Sequence, residues 1–217
     1  MNNPRILFGE KILGKGAQIV KDVNREVAEI IGINPAARTT CVKPSGNASV
    51  LLQTASGIHA EHSSMYIRNV QMNKESEITQ AIMKTNPYIV EDSVWSAGGT
   101  DVVVSCPILP NKGSMYKDDL IGIKHLELVK KAQKHWVETG TNEELCADEG
   151  IRHNVSNTII VDDWDEVEKY VFENRDAFAG ISFLAMTGDK DYNQAPNTAV
   201  ITAKDMVKKY GNAAVFA

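Results

Sequence analysis

Two short stretches of this chain carry residue types that hold phosphate groups. The first is "TTCVKPSGNAS", Thr39 to Ser49. Pro44 stiffens the approach, Ser45 offers a hydroxyl at a helix-cap position, and Gly46 lets a ligand come close to the backbone. Asn47, Ala48 and Ser49 then present the free N–H groups of a helix's first turn. Those donors and the positive end of the helix dipole form an anion site without a dedicated charged side chain. Lys43 adds a charge nearby. Every strand-to-helix turn needs a cap, however, and most bind nothing. Residue types alone leave both readings open, an ordinary capped turn or an anion cradle.

The second stretch is "GEKILGKG", Gly9 to Gly16, which matches Gly-x-x-x-x-Gly-Lys and follows the apolar Ile6-Leu7-Phe8. The run Ile159-Ile160-Val161-Asp162-Asp163 resembles the aspartate-ended strand that positions magnesium in nucleotide hydrolases. A P-loop hydrolase is therefore one alternative function. Its chemical defect is Gly16, which stands after Lys15 where a Ser or Thr hydroxyl must hold the magnesium ion. Glu10 also faces incoming anions. A glycine-softened helix start explains the stretch better, and helix capping explains Asp162 and Asp163. A non-catalytic phosphate-binding or interaction domain is the other alternative.

Cys41, Cys106 and Cys146 are scattered singly, which reads as free thiols in a reducing compartment. His59 and His62 lie three apart with only Glu61 between them and no further ligand cluster, so no metal is assigned. His125 sits on an apolar helical stripe and reads as a core histidine.

Hydrophobic periodicity supplies the elements that must position these residues. A helix is expected from about Ile12 to Ile31, with Leu13, Ala17, Val20, Val27 and Ile31 on one face, stopped by Gly32 and Pro35. Thr39–Lys43 reads as a short strand and Ser45–Ser56 as a helix capped by Ser45. A strand over Met65–Met72 precedes a helix near Glu75–Lys84, with Ile78, Ala81 and Ile82 facing inward. "DVVVSC", Asp101 to Cys106, is a buried strand closed by Pro107. The longest helix is expected from Lys117 to about Glu138, carrying Ile121, His125, Leu128, Ala132 and Trp136 at helical spacing. Val155–Val161 and Gly180–Ala185 are further strands. Between them Asp163 caps a helix with Glu166 three residues on, and Val167, Tyr170 and Val171 face its core. Five alternations of strand and helix predict an α/β fold with a mostly parallel sheet.

The 217 residues suit one domain, 1–217, of ordinary composition, 43% hydrophobic and 24% charged. The formal charge of -5 argues against a protein held on nucleic acid by bulk electrostatics. No apolar run has membrane-span length and no signal-peptide region opens the chain, so a cytoplasmic location is expected. The acceptor patterns at Asn47 and Asn154 are then poor glycosylation candidates. "YGNAAVFA" ends the chain in small apolar residues where a polar tail is usual, so the sequence reads as cut.

Three stretches in order, "TTCVKPSGNASVLLQTASGIHAEHSSMYIRNV", "VSNTIIV" and "ISFLAMTGDKDYNQAP", resemble adenosylcobalamin-dependent (class II) ribonucleotide reductases, closest to the ribonucleoside-triphosphate reductase branch. The resemblance covers roughly Arg38 to Thr202. It implies a ten-stranded α/β barrel, of which this chain would be the C-terminal half with about five strands and flanking helices. It also implies that Ser45, Gly46, Asn47, Ala48 and Ser49 bind the substrate's phosphates, and that Gly57, Ile58 and His59 lie in a loop near the barrel mouth. Three positions depart from the family pattern. Asn47 stands where threonine is usual, and Ala60 and Ala185 stand where proline is usual.

The chemistry so implied replaces a ribonucleotide's 2′-hydroxyl by hydrogen through a thiyl radical generated from adenosylcobalamin. The radical cysteine belongs to an Asn-x-Cys-x-Glu finger loop that this sequence lacks, so no catalytic residue is assigned. The expectation is a reductase fragment that is inactive alone. Its partners would be the ribonucleotide and the missing N-terminal half, and its exposed half-barrel would self-associate. Cobalamin binding by this chain by itself is not expected.

Overall fold

The structure, a computed structural model, describes residues 8–186, 192–200 and 202–213. In chain order the elements are helix α1 (Glu10–Ile31), helix α2 (Gly46–Leu51), strand β1 (Tyr66–Asn73), helix α3 (Glu77–Thr85), strands β2 (Val90–Asp92) and β3 (Asp101–Ile108), and helix α4 (Gly122–Ala132). Strand β4 (Thr158–Val161), helix α5 (Trp164–Glu173), strands β5 (Ser182–Ala185) and β6 (Asn197–Ala199) and helix α6 (Ala203–Tyr210) follow. Where one domain was expected, the chain divides into two compact units, Met1–Glu61 with Asn111–Met186 and His62–Pro110 with Thr187–Ala217.

The first unit packs α4, α5, β4 and the Ile58 loop around one core of Ile58, Leu120, Leu126, Val129, Val155, Ile159 and Val167. Its sheet is the parallel pair β4–β5, with Ile159 opposite Phe183. Asp163 caps α5 as expected, its carboxylate accepting from the Glu166 N–H at 3.0 Å. The long helix expected from Lys117 is broken in three. A 3₁₀ turn spans Lys117–Asp119, α4 follows, and a π-helical turn continues over Gln133–Glu138. The wider turn shifts the buried face onto Gln133 and Val137 and away from the regular stripe through Trp136. The longest helix is α1 instead, 22 residues closed by Gly32 in the left-handed conformation.

The second unit holds a four-stranded sheet of order β2-β3-β1-β6. All three of its pairings are antiparallel, with Val70 opposite Val104 at the centre of β1–β3. The expected five-stranded, mostly parallel half-barrel is therefore not what these strands form. Consecutive valines mark a strand covered on both faces, which Val102, Val103 and Val104 are, but burial carries no information about strand direction. Pro107 lies inside β3, opposite Ile67, instead of closing it. Beyond Val104 that strand has a partner on one side only, where proline is accepted. On α3 the inward residue is Thr79, while Ile78 is exposed and Ile82 half-buried. The Ser76 hydroxyl caps this helix by accepting the Thr79 N–H, and Thr79 turns inward with it.

The chain from Arg38 to Val42 forms no strand. It makes single bridges, Arg38 with Thr141 and Val42 with Val155. It is held by the far end of the π-helical turn. The Thr39 N–H donates to the Gly140 carbonyl at 2.9 Å, the Thr40 hydroxyl to the Trp136 carbonyl, and the Trp136 indole N–H to the Cys41 carbonyl at 3.0 Å. Gly140 packs directly on Thr40, so a Cβ there would lie 2.8 Å from the Thr40 Cβ. Gly140→Ala is expected to lower stability by about 1–3 kcal/mol through overpacking. Urea unfolding of the variant measures this, and an unchanged midpoint would contradict the packing described.

Candidate functional site

The Pro-Ser-Gly-Asn turn follows directly on the segment bound to Trp136 and Gly140. The Ser156 N–H donates to the Val42 carbonyl at 2.9 Å, which places the turn beside the chain leading into β4. Ser45 is the residue before α2, extended at φ -110 and ψ 108. Its hydroxyl caps nothing. Its carbonyl instead accepts from the hydroxyls of Ser49 and Ser56. Ser49 is buried and turned inward, and it also donates to the Gly46 carbonyl at 3.0 Å.

Gly46, Asn47 and Ala48 are exposed. No hydrogen bond among the described residues takes up their N–H groups. The five positions thus separate. Gly46, Asn47 and Ala48 present open backbone donors, whereas Ser45 and Ser49 hold the turn's shape. The helix is shorter than expected, six residues in place of a run to Ser56, and Gln53 ends it in the left-handed region at φ 51. Val50, Leu51 and Leu52 are exposed, so no apolar face extends α2 further.

Gly57 closes against the same turn. Its φ is +57, and a Cβ there would lie 2.8 Å from the Lys43 carbonyl oxygen and 3.4 Å from the Pro44 Cα. Only glycine meets both constraints. Ile58 does not line an opening, being 2% exposed in the core of its unit. His59 links the loop to β4, its Nε2 accepting the Thr158 N–H at 3.1 Å. That nitrogen therefore carries no proton, and Nδ1–H donates to the Ser56 carbonyl at 3.0 Å. The ring meets His125 edge to face with centroids 6.0 Å apart. His125 is a core histidine, donating from Nε2 to the Ile58 carbonyl at 3.1 Å.

The Gly9–Gly16 stretch is not a phosphate loop. Gly9 precedes α1, and Glu10 through Gly16 are helical, so their backbone N–H groups do not converge on one point. Gly16 lies against the Trp136 ring, 3.2 Å from where its Cβ would be. Cys41 is exposed, while Cys146 donates to the Asn142 and Ile151 carbonyls. Burial pushes the Cys106 thiol up, against the lowering effect of Arg68. Cys106 is therefore not set up as a reactive thiolate. Part of the third motif, 187–191, lies outside the described residues.

No family model matches the chain. Over 123 residues, 57% of its length, it is 28% identical to a probable adenosylcobalamin-dependent ribonucleoside-triphosphate reductase of Dictyostelium discoideum. Over 145 residues, 65% of its length, it is 23% identical to an adenosylcobalamin-dependent ribonucleoside-triphosphate reductase of Euglena gracilis. The matches span 16% and 20% of those relatives. A crystal structure of a B12-dependent (class II) ribonucleotide reductase superposes on 94% of this chain and 27% of its own, with a TM-score of 0.73 at 19% identity. In sequence the chain is similar to adenosylcobalamin-dependent reductases, and its fold occurs within one of them.

His125 gives the loop a titration that can be followed. Burial, with the neighbouring His59 ring second, lowers its pKa to about 4 against the outweighed carbonyl bond. An unfolded histidine takes its proton near pH 6.5. Between those values the unfolded state binds more protons, so the stabilisation present above pH 6.5 is lost as pH falls toward 4. The contribution is up to ~3 kcal/mol. His125→Gln keeps a donor for Ile58 and removes the titration, so its urea midpoint should fall less steeply across this window. Equal slopes for both proteins would refute the assignment.

Proposed function

We propose that this chain is a segment of an adenosylcobalamin-dependent ribonucleotide reductase that holds the substrate's phosphates on the Ser45–Ser49 turn. The observation that carries this reading is the set of open N–H groups at Gly46, Asn47 and Ala48, on a turn that resembles the family's Pro-Ser-Gly-Thr motif. The backbone donates to the phosphate oxygens, and the first turn of α2 adds its dipole. Asn47 offers a carboxamide where the family has threonine, a longer donor able to reach an outer oxygen. The Gly57–His59 loop backs the turn and fixes its distance from β4. Holding the nucleotide this way contributes by orientation.

The reduction itself lies outside what these residues do. The sequence has no Asn-x-Cys-x-Glu loop, and the isolated chain is proposed to be inactive. We assign cobalamin binding to the whole reductase and not to these residues alone. No helix among the described residues is long and apolar enough to cross a membrane. On α1, Ile12, Ile19, Val23 and Ile30 form an exposed apolar line opposite the buried Ala17 and Ala28. In a whole reductase we assign that face to the remaining chain, and in isolation to a second copy.

Gly46→Pro tests the turn. Proline is tolerated at the first helical position, Ser45 already has an extended backbone, and a Cβ at Gly46 meets nothing within 4 Å. The variant should fold normally yet lose one donor, weakening binding of a ribonucleoside triphosphate about five- to tenfold. Amide resonances of Gly46 to Ser49 should shift on titration of the unaltered chain. Shifts confined to other residues would remove the proposal. Light scattering on the purified chain tests the α1 face, with a dimer expected, lost in Ile19→Glu; a compact monomer at high concentration counts against it.

A further inference from the structure

The second unit carries a cavity of about 570 Å³ that the reading above does not use. Two exposed aromatic residues flank it, Trp95 at 63% and Tyr192 at 48% exposure. Their rings stand nearly perpendicular, at 83°, with centroids 6.1 Å apart. Exposing two large rings at one place is unfavourable unless something covers them. Their arrangement is fixed by a buried carboxamide. Gln194 donates to the Asp92 carbonyl at 2.7 Å and accepts the Val94 N–H at 2.9 Å, which ties the chain before Trp95 to the chain after Tyr192. Gln194 itself adopts a left-handed backbone, φ 59, unusual outside glycine. The strain is held by those two bonds, so the aromatic corner is built before any ligand arrives.

The lining determines what fits. Val103 supplies an apolar floor and Pro196 an apolar wall, and among the described residues none that lines the cavity carries a charge. The Asn69 carboxamide is already engaged, donating to the Ala195 carbonyl and accepting from Ser105. The polar groups left for a ligand are few. Among the described residues they are the Trp95 indole N–H, the Tyr192 hydroxyl and the Gln71 carboxamide, which keeps its oxygen and one N–H after donating the other to Asp101. A sugar, with a hydroxyl on nearly every carbon, would leave most of its hydrogen bonds unmade here. A phosphate finds no cation among the described lining residues. A flat, uncharged heteroaromatic ring has two wide faces and a few polar edge atoms, and it matches both the corner and the sparse donors.

We infer that this cavity is a binding site for a neutral, flat heterocycle of the nucleobase type, stacked on Trp95 and meeting Tyr192 at its edge. The site is independent of the Ser45 turn and does not rest on the reductase reading.

Adenosine, which has no phosphate, is the probe. Calorimetric titration of the 217-residue chain should show saturable binding of adenosine and none of ribose or of a proline-rich peptide. Trp95→Ala and Tyr192→Ala should each weaken it about tenfold or more, whereas Trp95→Phe keeps most of the affinity. Both rings are exposed, so circular dichroism should be unchanged in these variants. Gly46→Pro should leave adenosine binding intact, which separates this result from that of the phosphate turn. Absence of saturable binding, equal affinity in Trp95→Ala, or a preference for ribose or the peptide would overturn the inference.

Discussion

The hydrogen bonds between Thr39–Cys41 and the turn Trp136–Gly140 are the constraint on which the candidate site depends. They join residues about a hundred positions apart in the chain. The Trp136 carbonyl accepts both the Gly140 N–H at 3.2 Å and the Thr40 hydroxyl, its indole N–H reaches the Cys41 carbonyl, and the His153 ring adds a bond to the Thr40 carbonyl. With Thr40 fixed, Val42 falls beside Val155. The Pro-Ser-Gly-Asn turn then begins from a fixed point, although no strand leads into it.

Much of the local structure was legible in the sequence, because helices announce themselves by period and caps. α1, the cap at Asp163 and the buried valines of β3 all follow from side chains that satisfy local rules. Sheet direction was not legible. A strand buried on both faces looks the same whether its neighbour runs parallel or antiparallel. The short β2 and β6 strands, three residues each, carry too little pattern to be seen. β6 also reaches the sheet from far along the chain, pairing Thr198 with Ile67. Composition could not announce that pairing.

The site was legible in a different way. Residue types marked the turn, but they read Ser45 as a side-chain cap, which it is not. A serine before a helix normally caps it, yet here Ser45 gives its carbonyl to Ser49 and Ser56 and leaves the first-turn N–H groups open. The same inversion holds for the glycine loop, where Ile58 was grouped with the site and belongs to the core. Gly57 is the member whose type is dictated, since both its backbone angle and its contact with Lys43 exclude a side chain. Ile58 and His59 then act on either side of it, one anchoring the loop in the core and the other fastening it to Thr158.

Leaving a helix start uncapped has a thermodynamic consequence. α2 has six residues, too few to be stable by propensity, and three of the apolar side chains at its end face outward. Its internal support is the buried Ser49 and the backing loop at Gly57. An anion that accepts from Gly46, Asn47 and Ala48 would do the work of the missing cap, since open N–H groups at a helix start otherwise rely on water. Binding would then stabilise α2 by the free energy of the contacts, through linkage between ligand and folded state. A side-chain cap would have made the helix more stable empty and the donors unavailable. The Ser45 hydroxyl leaves the helix start open, and the residue shapes the turn through its carbonyl.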